Sequence, residues 1–510
     1  MKNIKIYTLL LALMFAVTSC LDKYPEDAVL EGEAITTVEQ ADQAVIGIYS
    51  AFLSSALYSG YLTLLPDLQA DFVYAVEGYS NTYDGFWRWD IIPTSSEVEA
   101  VYASLYDIIG RCNFLLENTA KMKPLITNDS ELDLIDQYEG EAYFARALAY
   151  SELIKLYCKS YESKEEAENE LGVVITETYY PKGKIKRSSL EESYRFVIKD
   201  LERAADLLAL DEDYEPSVDG YLFNVSEYFN EYTVYALRAR IALYMKDWDA
   251  AIEYSSKIID SEYYALSSAT EYFSSEYTYF DYMWATDLAS EIIWKVGFTS
   301  TNYGGRLGRI FFNYDYVSYK PDYVPAKWVL DLYSSNDLRY SSYFYEMATG
   351  YSHGLTWPLL VKYWGNTDLY SQNAVLNLSM PKVFRLAEQY LIRAEAYCCK
   401  ETPDYSRAGK DISTLRAARC SSYGGSTPMN AENAMDIIEE ERVKELYMEG
   451  FRLTDLKRWH KGFERVPQSH SLTHGSSLKV EADDPLFVWP IPQHELESPG
   501  TDIEPNESNK

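Results

Sequence analysis

Between Asp67 and Pro93 the chain interleaves aromatic rings with short polar side chains, a mixture suited to holding a ligand. Tyr74, Tyr79, Tyr83, Phe86, Trp87 and Trp89 stand among Gly, Asn and Asp. Flat rings meet apolar C–H faces, while carboxylate, amide and guanidinium groups exchange hydrogen bonds with hydroxyls. Trp87 and Trp89 would be the platforms, and Asp71, Asn81, Asp84 and Arg88 the polar partners. A neutral sugar presents both kinds of surface. If Trp87-Arg88-Trp89 is extended, the two indoles share one side and Arg88 faces the other. Replacing Trp87 by Ala would then weaken binding sharply and leave the thermal melt nearly unchanged.

Bond-breaking chemistry finds less support. All five histidines lie at or beyond His353 and no CxxC occurs, so no metal site is expected. Asp211, Asp213 and Asp219 resemble an acidic calcium loop, but Pro216 stands where the EF-hand turn needs glycine. No nucleophile motif or cofactor loop is evident, and no cofactor is expected. With 79 acidic residues, carboxylate pairs at glycosidase spacing arise anywhere and carry little information. A surface glycoside hydrolase stays as a minor alternative.

The formal net charge is −33 at pH 7. Such a chain repels phosphate backbones, so nucleic-acid binding is not expected, and sulfated or uronate-rich polyanions are weakly disfavoured. Tyrosine is abundant at 48 copies, and most of these rings should serve helix packing. Lys2 and Lys5 precede the apolar run Ile6–Val17, followed by Thr18, Ser19 and Cys20. That is the layout of a signal peptide, too short in its apolar part to span a bilayer. The VTSC ending resembles a relaxed lipobox, which would make Cys20 the lipidated N-terminus of a bacterial lipoprotein. Residues 1–19 would be removed, 20–35 would form a lipid-anchored tether, and 36–510 one domain. Five cysteines remain (Cys112, Cys158, Cys398, Cys399 and Cys420), an odd number that argues against a disulfide framework.

Helical periodicity organises the rest. Thr36 or Thr37 caps a helix over Val38–Phe52, and Glu97–Met122 and Leu132–Tyr161 follow. Ser188 or Ser189 caps Leu190–Leu208. Tyr232–Met245 and Asp249–Ile259 are joined by the short step Lys246-Asp247-Trp248 and must run antiparallel. Ala239, Trp248 and Ala251 lie at offsets zero, nine and twelve, and Ala396, Tyr405 and Ala408 repeat them. Small residues at a crossing with an aromatic at the turn resemble a tetratricopeptide repeat. The copies are 157 residues apart, so the helix pairs are dispersed through one globule. Loops at about 67–93, 299–325 and 352–377 interrupt them; the last two hold Tyr303, Tyr314, Tyr316, Tyr319, Tyr323, Trp357, Tyr363 and Trp364. A short strand over Glu291–Phe298 frames the middle loop.

Several stretches together resemble one family. They are LDKYPEDAVLEGEAITTVEQADQAVIGIYSAF, KRSSLEESYRFVIKDLERAADLL, YALRARIALYMKDWDAAIEYSSKII, FRLAEQYLIRAEAY, ERVKELYMEGFRLTDLKRW and WPIPQHELE. In this order they are similar to the SusD/RagB outer-membrane nutrient-binding lipoproteins. The resemblance implies a mainly α, SusD-like fold with four dispersed tetratricopeptide-like helix pairs and a loop-built ligand face. It further implies a cell-surface, lipid-anchored protein that captures oligosaccharides for a SusC-like TonB-dependent outer-membrane transporter, without catalysis. RagB-type peptide capture is the alternative. The ligand face implied by the family draws attention to Trp87, Trp89, Tyr83 and Tyr303, with Arg306 as a polar partner. The shared motifs themselves read as structural: Arg385 with Glu388, Arg393 with Glu395, and Arg452 with Asp455 set opposite charges two or three residues apart along a helix. Trp459 and Trp489 should pack inward.

Overall fold

The computed structural model describes residues 35–181, 183–210, 226–351, 354, 356–466 and 477–510. The leader, Cys20, nearly all of the tether and the Asp211–Asp219 run lie outside them. Long helices dominate. Helix α1 (Val38–Ala51) opens with a capping box in which Thr37 accepts from Gln40 N and the Gln40 side chain returns to the Thr37 N–H. A short helix α2 (Tyr61–Gln69) leads to α3 (Ser96–Met122) and α4 (Asp129–Tyr157). Helix α5 (Leu190–Leu207) starts from Ser189, which forms a second capping box with Glu192. Next come α6 (Glu231–Tyr244) and α7 (Trp248–Ile259), where Asp247 caps α7 through Ala250 N. The C-terminal half adds α8 (Leu386–Cys399), α9 (Tyr405–Arg419), α10 (Ala434–Glu445) and α11 (Arg452–Arg458).

Consecutive helices pack in pairs: α3 on α4, α4 on α5, α6 on α7, and α8 on α9, with α7 also lying against α8. The offset pattern has its expected cause. Ala239, Ala251, Ala396 and Ala408 are fully buried, letting the backbones approach, while Trp248 and Tyr405 cover the turns half-buried. No helix among the described residues is long and apolar enough to cross a membrane.

Four two-stranded antiparallel ladders sit between the helices. They pair β1 (Val73–Ala75) with β3 (Tyr323–Pro325), and β2 (Ile292–Lys295) with β6 (Lys382–Arg385). They also pair β4 (Phe344–Ala348) with β5 (Thr356–Leu360), and β7 (Phe463–Arg465) with β8 (Leu478–Val480). The expected strand around Ile293 is thus present but shorter. The first ladder matters most here, because Tyr74 opposite Val324 joins segments some 250 residues apart.

The motif charges are structural, but their partners are not the expected neighbours. Arg385 bonds Glu291, Glu445 and Glu449, and Glu388 instead holds Arg240. Arg393 closes on Asp411, and Glu395 on Arg458. Arg452 reaches Asp71 and Glu439, leaving Asp455 to Arg442 and Arg458. Burial explains most of the change: these groups are enclosed and take charge chiefly from facing elements, although Asp455 and Arg458 also pair three residues apart on α11. Three arginines surround Glu445 and hold its carboxyl well below the usual range. Trp489 is fully buried, and Trp459 packs half-buried with its N–H on Glu395.

Candidate functional site

A cleft of about 840 Å³ opens between the turn leading into α2, the loop after β1, and the loop between β2 and β3. Its size falls within the range of small-molecule pockets, about 300–1,000 Å³. Ser59, Gly60 and Tyr61 form one wall; Ser80, Thr82 and Tyr83 a second; and Tyr303 to Arg306 with Arg309, Asn313 and Asp322 a third. The β1–β3 ladder brings the second and third together. Just past it, Val76 N donates to Asp322 O at 2.9 Å, and the Asp322 carboxylate accepts from Ser80 N at 2.9 Å and Ser80 Oγ at 2.8 Å. Tyr323 adds a bond from its hydroxyl to Thr82 O at 2.6 Å.

The first and third walls touch through backbone. Gly305 N donates to Ser59 Oγ at 2.9 Å. A Cβ on Gly304 would lie 2.4 Å from Ser59 Oγ, and one on Gly305 2.5 Å from Ser59 O, so both positions demand glycine. Tyr83 takes a left-handed conformation (φ 58°), as does Asn81 (φ 61°), an unfavourable choice for non-glycine residues. That geometry brings Tyr83 edge-to-face with Tyr61 at 5.6 Å between centroids. Burial pushes the Tyr83 hydroxyl up to about 12, with Arg309 pulling it back, so it stays a neutral donor at physiological pH.

The wall made by α2 is braced from the C-terminal part of the chain. Asp67 accepts from Gly450 N and Arg452 N, both at 2.9 Å. Arg452 forks onto Asp71 at 2.8 and 2.9 Å. Trp489 Nε1 donates to Gln69 Oε1 at 2.8 Å, and Arg465 to the carbonyls of Gln69 and Ala70 at 2.7 and 2.9 Å. Thus the EGFR and WPIP segments are the splints of the cleft rather than its lining.

Of the residues singled out from sequence, Tyr83, Tyr303 and Arg306 line this cleft, and Asn81 lies between the lining residues Ser80 and Thr82. The other five are placed elsewhere. Trp87 is 2% exposed, wedged against Tyr74, Tyr79 and Tyr323 with its N–H on Val73 O, and offers no free ring face. Trp89 is half-buried between Phe463 and Phe487 and donates to Asp484 at 3.0 Å. The extended reading fails because Asp84–Trp87 is a helical turn and Trp89 is left-handed (φ 61°). Asp71 is committed to Arg452, and Arg88 forms a surface pair with Asp84 at 2.6 Å. Missed at first were Tyr61, Thr82, Arg309, Asn313 and Asp322. Arg309 could have been found from its spacing to Arg306; the others depend on a fold-level juxtaposition.

Two family models cover most of the chain. Residues 294–501 match the SusD family, and residues 36–243 match a family described as starch-binding and associating with the outer membrane. The chain belongs to the SusD-like family. A SusD-like protein of Formosa agariphila is 23% identical over 96% of both chains. Among solved structures, a SusD superfamily protein of Bacteroides thetaiotaomicron superposes with a TM-score of 0.75 at 22% identity, over 92% of this chain and 99% of that one. A putative sugar-binding protein of Bacteroides vulgatus gives 0.74 at 21% identity, over 94% and 100%. Surface glycan-binding protein A of Bacteroides fluxus gives 0.66 at 20%, over 93% and 100%. At these identities the structures establish a shared, mainly helical fold.

Next to the cleft in sequence, this SusD-like protein carries an exposed ring cluster. Tyr314 lies 4.9 Å from Tyr319 and 5.9 Å from Tyr316, and Tyr319 lies 5.9 Å from Trp364. Tyr316 is 84% exposed at a left-handed position, held in a turn whose N–H groups bond Asp315.

Proposed function

We propose that this SusD-like protein captures oligosaccharides in the cleft and passes them unaltered to a SusC-like TonB-dependent outer-membrane transporter. The observation that carries this reading is the lining itself: Tyr61, Tyr83 and Tyr303 supply ring faces, and Ser80, Thr82, Asn313, Arg306 and Arg309 supply hydroxyl-binding groups. The family's description as starch-binding and outer-membrane-associated, and the sugar- and glycan-binding names of its structural relatives, support it. Glycoside hydrolysis requires two carboxyl groups flanking the bond. Among the lining residues Asp322 is the one carboxylate, and Ser80 holds it. Lipidation at Cys20 would tether the body at the cell surface with the cleft available to the transporter.

The test uses lipid-free protein from Asp22 onward in affinity electrophoresis against a polysaccharide panel, with reducing-end assays alongside. Retardation by at least one polysaccharide, without new reducing ends, is expected. Steady release of reducing ends, or migration unaffected by every polysaccharide, would overturn the reading.

A further inference from the structure

We propose that the cleft selects an acidic saccharide, holding a uronate carboxylate or sulfate ester between Arg306 and Arg309. This rests on the oligosaccharide reading above and names its ligand class. The two guanidiniums stand three residues apart on one turn, where Arg309 N donates to Arg306 O at 3.1 Å, and both line the cleft. Neither makes an ion pair or a side-chain hydrogen bond among the described residues. That is unusual in this chain, where acidic residues outnumber Lys and Arg by 79 to 46. Elsewhere on the surface, Arg88, Arg111, Arg195 and Arg407 each close on a carboxylate three or four residues away. Arg203, also without an ion pair among the described residues, sits on an exposed helix flank rather than in a concavity.

The local balance of charge is therefore opposite to the global one. Against two cations the lining sets Asp322, whose Oδ1 already accepts two bonds from Ser80. Glu97, whose charge reaches Tyr61 and Tyr83, stands outside the lining. Guanidinium forks match the planar oxygens of a carboxylate and the oxygens of a sulfate, and such charge-assisted bonds are about twice as strong as neutral ones. The protein's overall negative field would oppose an approaching polyanion. Salt screens it beyond about 8 Å, so contacts inside the cleft decide affinity. The tyrosines would still take the apolar ring faces of the same saccharide.

An array of matched pairs tests this with lipid-free protein from Asp22 onward: oligogalacturonate with its methyl ester, glucuronoxylan with unsubstituted xylan, and carrageenan with agarose oligomers. The pairs separate carboxylate from sulfate. Calorimetry on the best pair then compares the native protein with the doubles Arg306→Gln/Arg309→Gln and Arg306→Lys/Arg309→Lys. The acidic member should bind about tenfold tighter to the native protein, about equally to the glutamine double, and still preferentially to the lysine double. Both side chains are exposed, so the melts should agree within about 2 °C. Equal or tighter binding of the neutral member overturns the charge selection and leaves saccharide capture standing. Binding of no saccharide, or binding only of peptides through a free C-terminal carboxylate, overturns both.

Discussion

Trp87 and Tyr303 show how differently two aromatic residues of this protein are used. Trp87 fills a closed space between the β1 strand and Tyr323, so Trp87→Ala would leave a large cavity. The expected cost is about 3–5 kcal/mol in urea unfolding, in line with other large-to-small core changes. Tyr303 is 38% exposed at the cleft wall, and Tyr303→Ala should change stability by no more than about 0.5 kcal/mol. Saccharide affinity should nevertheless fall roughly tenfold, as expected when a stacking face is lost. Calorimetry and a melt on the same two variants would reverse this assignment if Trp87→Ala kept its melt and lost its ligand.

At the level of elements, the cleft depends on a wall that is secured from almost 400 residues away. Arg452 joins α11 to the end of α2 through Asp71, and burial makes that pair costly to break. Arg452→Ala should destabilise the protein by about 3–5 kcal/mol, because Asp71 is left buried without a partner. Replacing both at once, as Arg452→Met with Asp71→Leu, should recover much of that loss in chemical denaturation. Gly305→Ala belongs to the same scale. Its Cβ would press on the Ser59 carbonyl, so the Tyr303–Arg309 loop must move away from α2. Ligand affinity should fall more than stability, measured on one preparation.

Across the whole molecule, a histidine links two distant segments in a pH-dependent way. His460 bonds Asp483 through Nδ1 at 2.7 Å and Glu162 through Nε2 at 2.9 Å. The Asp483 carboxylate, then Glu162, raises the imidazole above its usual value of 6.5 against a partial desolvation penalty. A group raised on folding stabilises fully below its unfolded pKa and loses that contribution as pH rises through the folded one. Melting temperature should therefore decline from about pH 6 toward pH 8 through this site, and His460→Gln should flatten that slope. A slope unchanged in His460→Gln would remove the link. In acid the trend reverses. Glu445 is held well below 4.5 by Arg419, Arg385 and Arg339, so its stabilisation is present above 4.5 and disappears as pH falls.

What the amino-acid order determined was everything set by nearby residues. Capping boxes at Thr37 and Ser189, the antiparallel turn at Asp247 and the small-residue crossings at Ala239 and Ala396 follow from periodicity and local hydrogen bonding. The loops to which the family resemblance drew attention also hold the lining residues Tyr83, Tyr303 and Arg306. Tertiary structure alone decided which rings face the cleft and which charges meet. Trp87 and Tyr303 are both aromatic residues among turn formers in sequence, and burial against Tyr323 separates them. Arg452 and Asp455 look like partners until α2 presents Asp71 and α10 presents Arg442. Side-chain type and local spacing fix a helix, but the contents of a cleft depend on long-range packing, which joined Asp322 to Ser80 and left Arg306 and Arg309 without an ion pair among the described residues.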